Sequence, residues 1–227
     1  MMRRRRTSMP VLTGALFGLL VVAVLPSLGK SLATVDFVSG GIGAPPADFE
    51  FWRAGQGGVA QWTVVADASA VAGAAIEQSS TDRTENRNPV AIYKPVVAAD
   101  IKVSVRTKML QGTMQSAGVA FRLRTPDDYY LVRISALEMR IDLFRVVDGQ
   151  MERIAGSDAD ITMNRWHTLG VVAIRDRFEV WLDDAPVFTA WDQTFIGDGR
   201  AALWTEDDNV TRFDAITIEP LPWSSRN

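Results

Sequence analysis

The chain is 227 residues long, carries a formal net charge of −3, is 47% hydrophobic, and contains no cysteine and one histidine. The absence of cysteine excludes disulfides, thiolate metal sites, a cysteine nucleophile and a lipid-modified cysteine at an export boundary. A lone histidine, His167, excludes a three-histidine metal centre, and the acidic balance argues against nucleic acid as a partner.

Arg3, Arg4, Arg5 and Arg6 precede an apolar run over residues 11–25, then Pro26 and Ser31-Leu32-Ala33. A basic start, an apolar stretch of about 7–15 residues and small residues at the cut positions describe a secretory signal peptide. The run is shorter than the ~20 residues that span a bilayer. Residues 1–33 are therefore expected to be removed before Thr34, placing the protein in the periplasm or outside the cell. Lys30 is unusual so near a cut site, and an uncleaved segment would be the membrane attachment. Removing residues 1–33, which hold five basic and no acidic side chains, leaves 194 residues with a formal charge of −8. All-β chains of that size commonly form one unit.

Residues 34–38 and 49–53 read as short strands around a Gly/Pro-rich turn at 39–47. Residues 61–66 and 73–78 follow as strands, and the polar stretch 79–88 reads as a solvated loop. Further strands are expected at 90–94, 101–109, 117–125, 151–154, 167–175, 178–183, 187–190, 200–204 and 211–218. Turn residues separate them at Gln111-Gly112, Asp148-Gly149, Arg175-Asp176 and 183–186. Short alternating strands so punctuated predict an all-β, two-sheet antiparallel sandwich. No sustained 3.6-residue apolar stripe predicts a major helix. Residues 34–219 form the domain and 220–227 a tail.

The organising stretch is 127–149, DDYYLVRISALEMRIDLFRVVDG. As a hairpin turning at Ala136-Leu137, it sets Tyr130 opposite Leu143, Val132 opposite Ile141 and Ile134 opposite Met139. The other face pairs Tyr129 with Phe144, Leu131 with Asp142, Arg133 with Arg140 and Ser135 with Glu138. One apolar face with a period of two is what a sheet packed on one side requires. Ala-Leu is not a favoured two-residue turn, which leaves a longer loop open.

If the neighbouring strands share that core, Arg106, Arg122, Arg133, Glu138, Arg140 and Asp142 fall together on one outer face. Arginine forks and carboxylates suit sugar hydroxyls. The plainer account is a solvated face with surface ion pairs worth roughly 0–1 kcal/mol each. Glu138 and Asp142 are also candidate carboxylates for glycoside cleavage. Among the seven tryptophans, Trp181 shares parity with Glu179 against Phe178, Val180 and Leu182. It is thus the leading surface candidate for stacking on a sugar; Trp204 is second, and Trp62 and Trp166 read as packing residues. His167 reads as a strand-end hydrogen-bonding group.

DDYYLVR-x-x-ALE, LFRVVDG, RWHTLGVVAIRDRFEVWLDD and FDAITI, in that order, resemble concanavalin A-like jelly-roll domains of laminin-G-like and 3-keto-disaccharide-hydrolase-like (DUF1080-type) character. The resemblance spans residues 34–219. It implies a sandwich whose concave face carries glycans, in a superfamily of binders and glycan-cleaving enzymes. It also implies a structural Ca2+ between Asp36, carbonyls near Ser39, and Asp214. The loop 206–209 is an alternative ion locus, or a solvated charged turn. Glu138 lies on the ALE match. Met139 stands where similar sequences carry Asn, and a Gly-Tyr-Glu strand is absent, which weakens the enzymatic implication. Three functions follow in order: a non-catalytic module binding oligosaccharide or polysaccharide, a 3-keto-glycoside hydrolase or lyase using Glu138, and a laminin-G-like protein-binding or structural domain.

Overall fold

The computed structural model describes residues 32–35, 37–38 and 40–222. The signal-peptide expectation for 1–33 falls almost wholly outside the described residues, as do Asp36, Ser39 and the tail from Trp223.

Two antiparallel sheets face each other. Eight strands make the first, in the order β13 (Ala185–Trp191), β12 (Arg177–Leu182), β11 (His167–Ile174), β6 (Ile101–Gln111), β15 (Val210–Pro220), β4 (Ala74–Gln78) and β3 (Trp62–Ala66), with β1 (Ala33–Thr34) also on β15. Seven make the second: β10 (Gln150–Asp158), β9 (Arg140–Val147), β8 (Asp128–Ser135), β7 (Ser116–Thr125), β14 (Arg200–Thr205), β5 (Arg87–Tyr93) and β2 (Phe49–Gly55). No helix occurs among the described residues. The expected strands are present, with shifted ends where edges fray or extend. The first shortens to two residues, and the one expected at 151–154 extends over Gln150–Asp158.

The two inner faces meet in one apolar layer. Val103, Val105, Leu169, Val171 and Phe178 from the eight-stranded sheet pack on Val119, Phe121, Tyr130, Val132, Ile141 and Leu143 from the other. Phe178 bridges the layers, with ring centroids 5.5 Å from Phe121 and 4.8 Å from Tyr130. The Tyr130 hydroxyl donates to Asp192 Oδ1 at 2.6 Å and accepts from the Phe195 N–H at 3.0 Å, so the ring's polar end is satisfied where it leaves the core.

The β8–β9 hairpin keeps its faces but not its register. Val132 pairs with Leu143, Ile134 with Ile141 and Ser135 with Arg140, two residues away from the expected pairing. The connection spans residues 136–139, and Met139 adopts φ 53° in it, exposed instead of apolar-facing. An even shift leaves every side chain on its original face, which is why the face assignment survived a wrong turn.

Arg106 and Arg122 are corrections. Arg106 does alternate outward, but β6 belongs to the eight-stranded sheet, so its outer side is the opposite surface of the molecule from Arg133. Alternation fixes the face within a strand and says nothing about which sheet the strand joins. Arg122 sits at a register shift between Phe121 and Thr125 with φ 48°. The bulge re-aims its side chain into the sandwich end. There it is 0% exposed, donating to the carbonyls of Ala99 (2.7 Å) and Phe195 (2.8 Å), 3.5 Å from Asp100. Nor is 79–88 wholly solvated. Arg87 opens β5 fully buried and donates to the carbonyls of Gly58 and Asp207.

Ile141→Ala removes a fully buried side chain from the interlayer core and is expected to cost about 2–5 kcal/mol in chemical denaturation. Glu152→Ala, at a carboxylate 67% exposed on the edge strand of the same sheet, is expected to stay within about 1 kcal/mol. Equal losses for the two would contradict the burial of Ile141 between the sheets.

Candidate functional site

The outer face of the seven-stranded sheet is not simply polar. Val90, Ile92, Leu131, Tyr129, Phe144, Val146 and Trp204 form a second apolar cluster there, with Trp52 against its margin. Trp204 is 0% exposed, which removes it as a surface platform. Along one row of partners, Val90, Trp204, Gly118, Arg133, Asp142 and Gly156 succeed one another across six strands. Gly118 is required by close approach: a Cβ there would stand 2.4 Å from the Val132 carbonyl and 2.9 Å from a Leu131 methyl.

Arg133 stands where this apolar floor becomes charged. Its guanidinium lies over the Phe144 ring at 5.0 Å and faces three carboxylates. Nη2 donates to Glu138 Oε2 at 2.5 Å, Asp142 Oδ2 is 3.7 Å away, and Glu206 Oε2 is 3.5 Å from Nη1. Asp142, 1% exposed, accepts from Arg140 Nε at 2.7 Å on Oδ2 and from Arg153 Nε at 2.6 Å on Oδ1. Burying a carboxylate this deeply costs free energy unless it is matched by charge-assisted hydrogen bonds, which these arginines supply. The Asp142 hydrogen bond holds Arg140 above the usual guanidinium range. Gly156 makes the arrangement possible, because a Cβ there would sit 1.9 Å from Asp142 Oδ1. Glu138 is the accessible member, with 44% of its side chain exposed.

The structure thus brings Arg133, Glu138, Arg140 and Asp142 together as the alternation predicts, and adds Arg153 and Glu206. Arg153 escaped the sequence reading because a bulge between Arg153 and Ala155 re-aims it. Glu206 escaped because its loop resembled a solvated turn. Instead Asp207, Asp208 and Asn209 are all buried: Asp208 Oδ1 accepts from the Thr113 N–H (2.7 Å), and Asn209 exchanges bonds with Gln115 and Ser116. That loop is not a solvated turn. Burial pushes the Glu206 carboxyl above the ordinary glutamate range, against the attraction of Arg133. Glu206 also lines a hollow of roughly 540 Å³ whose wall includes Gln56, Asn86, Asn88, Asp127, Tyr129 and Gln150.

The remaining candidates lie elsewhere. Trp181 is on the outer face of the eight-stranded sheet, partly exposed as its parity predicts, but across the molecule from Arg133. Trp166 packs under Arg106 and Lys108, each 4.7 Å from its ring, and Trp62 is buried; both fit the packing expectation. His167 is 1% exposed. Nε2 accepts from the Thr162 N–H at 3.2 Å, which fixes the proton on Nδ1 for donation to Asp183 Oδ2 at 2.9 Å. It is a strand-end hydrogen-bonding group, as expected.

Asp214 is buried, and its Oδ2 accepts from the Val71 N–H (2.7 Å) and Arg106 (3.0 Å). A guanidinium on that carboxylate opposes a cation. Among the described residues no group of three or more acidic or histidine side chains could hold a metal. Asp214 Oδ1 is buried with no hydrogen-bond partner, and Asp36 and Ser39, the other half of the expected ion site, lie outside the described residues.

No family model matches the chain, and no curated protein matches it. Solved structures do. The carbohydrate binding module CBM66 from Bacillus subtilis aligns with TM-score 0.60 at 20% identity, covering 74% of this chain and 94% of that one. A Bacillus subtilis protein of unknown function with a galectin-like fold gives TM-score 0.54 at 8% identity, covering 76% and 89%. A candidate glycosyl hydrolase from Parabacteroides distasonis gives 0.52 at 10%, covering 79% and 91%. At these identities the likeness concerns the fold alone: a two-sheet antiparallel jelly-roll sandwich.

Glu206 yields a pH test. Its carboxyl is raised in the folded state, so its contribution to stability is fully present below the unfolded value and is lost as pH rises through the folded one. Glu206→Gln cannot ionise. Its stability relative to wild type, measured by denaturation at pH 4 and pH 8, is expected to improve on going to pH 8. An unchanged difference would place Glu206 in solvent.

Proposed function

We propose that this protein is an exported, non-catalytic carbohydrate-binding module whose ligand lies on the outer face of the seven-stranded sheet. The observation that carries the reading is Arg133. It is held on Phe144 among three carboxylates at the edge of an apolar floor. One of the three, Glu206, also lines the hollow that carries the amides of Gln56, Asn86, Asn88 and Gln150. A polyhydroxylated ligand needs fixed donors and acceptors at close spacing and an apolar surface for its C–H faces. Arg133 and Glu138 supply a donor fork and an accessible acceptor already paired with each other, so little side-chain entropy is lost on binding. Arg140 and Asp142 hold that pair in place. The likeness to a carbohydrate binding module supports the same reading.

A glycoside hydrolase or lyase is the second reading, and one observation favours it. Glu206, its carboxyl raised by burial, stands on the other side of Arg133 from the half-exposed Glu138. Two carboxylates in unlike environments are the pattern of an acid and a base. Asp142, the partner expected from sequence, is bound by Arg140 and Arg153 and is not free to act. In this reading Glu206 would donate the proton to the leaving oxygen.

A glycan array followed by calorimetric titration tests the proposal. Arg133→Lys, which keeps charge but loses the fork, and Glu138→Gln are each expected to weaken binding about tenfold or more. Unchanged affinity in both would remove the site, and an array without any bound glycan would leave the laminin-G-like protein-binding role. Product release from the bound glycan that Glu206→Gln abolishes would convert the module into an enzyme. Export is checked separately: N-terminal sequencing of the protein recovered outside the cytoplasm is expected to begin near Thr34. Retention of residues 1–33 in the membrane would refute cleavage.

A further inference from the structure

The opposite surface carries a second hollow, of roughly 430 Å³, on the outer face of the eight-stranded sheet. Its floor is one row of strand partners: Trp181, Gly170, Ser104 and Thr217, running from β12 to β15. Trp181 stands at one end as a partly exposed indole, and the hydroxyls of Ser104 and Thr217 lie at the other. Between them Gly170 presents no side chain.

That glycine is not required by the fold. Its backbone lies outside the left-handed region, and a Cβ there would meet nothing nearer than the Trp181 Cβ at 3.4 Å. Its effect is to leave a trough beside the indole, whereas a larger residue would fill the space. Thr168 adds a third hydroxyl to the wall, and Lys102 and Asp184 contribute one charge of each sign. An apolar ring face, three hydroxyls and balanced charge suit a neutral, polyhydroxylated ring better than an anion, a nucleic acid or a lipid surface.

We infer that Trp181 and the Gly170 trough form a second sugar-binding site, with a neutral pyranose or furanose ring stacked on the indole and hydrogen-bonded to Ser104, Thr168 and Thr217. It rests on the reading of the protein as a carbohydrate-binding module. Because the two sites lie on opposite sheets, one molecule joins two glycan chains, and neither site competes with the other. Joining two chains makes the protein a cross-linker, which a one-faced module is not. Two weak sites also raise avidity on a polymer without any new contact.

The test uses the purified protein labelled with 5-fluorotryptophan, each 19F resonance being assigned by single Trp→Phe substitutions. The probes are cellotetraose, laminaritetraose, maltotetraose and inulin-type kestopentaose. At least one is expected to shift the Trp181 resonance saturably, to do so equally in Arg133→Lys, and to bind there about tenfold more weakly in Gly170→Leu. Thr168→Val, which removes one hydroxyl at nearly constant shape, is expected to weaken the same response and serves should Gly170→Leu not fold. A probe that moves Trp204, two strands from Arg133 in the same row of partners, while Trp181 stays fixed overturns the second site and leaves the first standing. If no probe moves either resonance, both fall. A Trp181 shift that Gly170→Leu and Thr168→Val leave unaltered also overturns the assignment.

Discussion

Strand β8 is buried on both faces, and the rest of the architecture answers to that. One side of it, Tyr130, Val132 and Ile134, enters the layer between the sheets. The other, Tyr129 and Leu131, lies under a smaller apolar cluster on what would otherwise be a solvated surface. A strand in that position cannot slip by one residue, because Arg133 would exchange places with an interlayer side chain. Its neighbours are held equally firmly: β7 contributes Gly118 so that β8 can approach, and β9 returns Leu143 and Phe144 to opposite faces.

The charged cluster follows from this burial. Arg133 is 8% exposed and Asp142 1%, so neither can rely on water for compensation. Guanidinium groups from β8 and β9 and from the bulged edge strand β10 converge on one carboxylate. A fixed, desolvated network of this kind is geometrically well defined, and that definition is what recognition of a polar ligand needs. It also explains why Glu138 and Glu206 differ. Both face Arg133, yet one is half in water while the other is enclosed by the loop whose Asp207, Asp208 and Asn209 are tied down behind it.

The two sheets divide labour by chemistry. On the seven-stranded side Arg133, Glu138, Arg140 and Arg153 are charged and paired, and the hollow at Glu206 has amides in its wall. On the eight-stranded side Asp67 binds Lys108 and Arg212, and Asp214 binds Arg106, which locks the charges beside Trp166. Around Gly170 stand the hydroxyls of Ser104, Thr168 and Thr217 and the Trp181 indole, beside Lys102 and Asp184. Each surface therefore presents a different set of contacts to solvent, although both arise from the same alternation of inward and outward residues.

The amino-acid sequence alone determined the all-β class, most of the strands, the inner face of the central hairpin and the outward parity of Trp181. Each of these depends on a period of two, a local property that tolerates an even register error such as the one at residues 136–139. It also identified Arg133, Glu138, Arg140 and Asp142 as neighbours, because they lie on one hairpin. Only the tertiary structure decided that β6 joins the other sheet, taking Arg106 to the far surface, and that a bulge turns Arg122 inward. It alone brought Glu206 and Arg153 to Arg133 and buried Trp204 on an outer face. Sheet membership, bulges and the closing of a loop are set by contacts between segments far apart in the chain. Alternation within a segment carries no record of them.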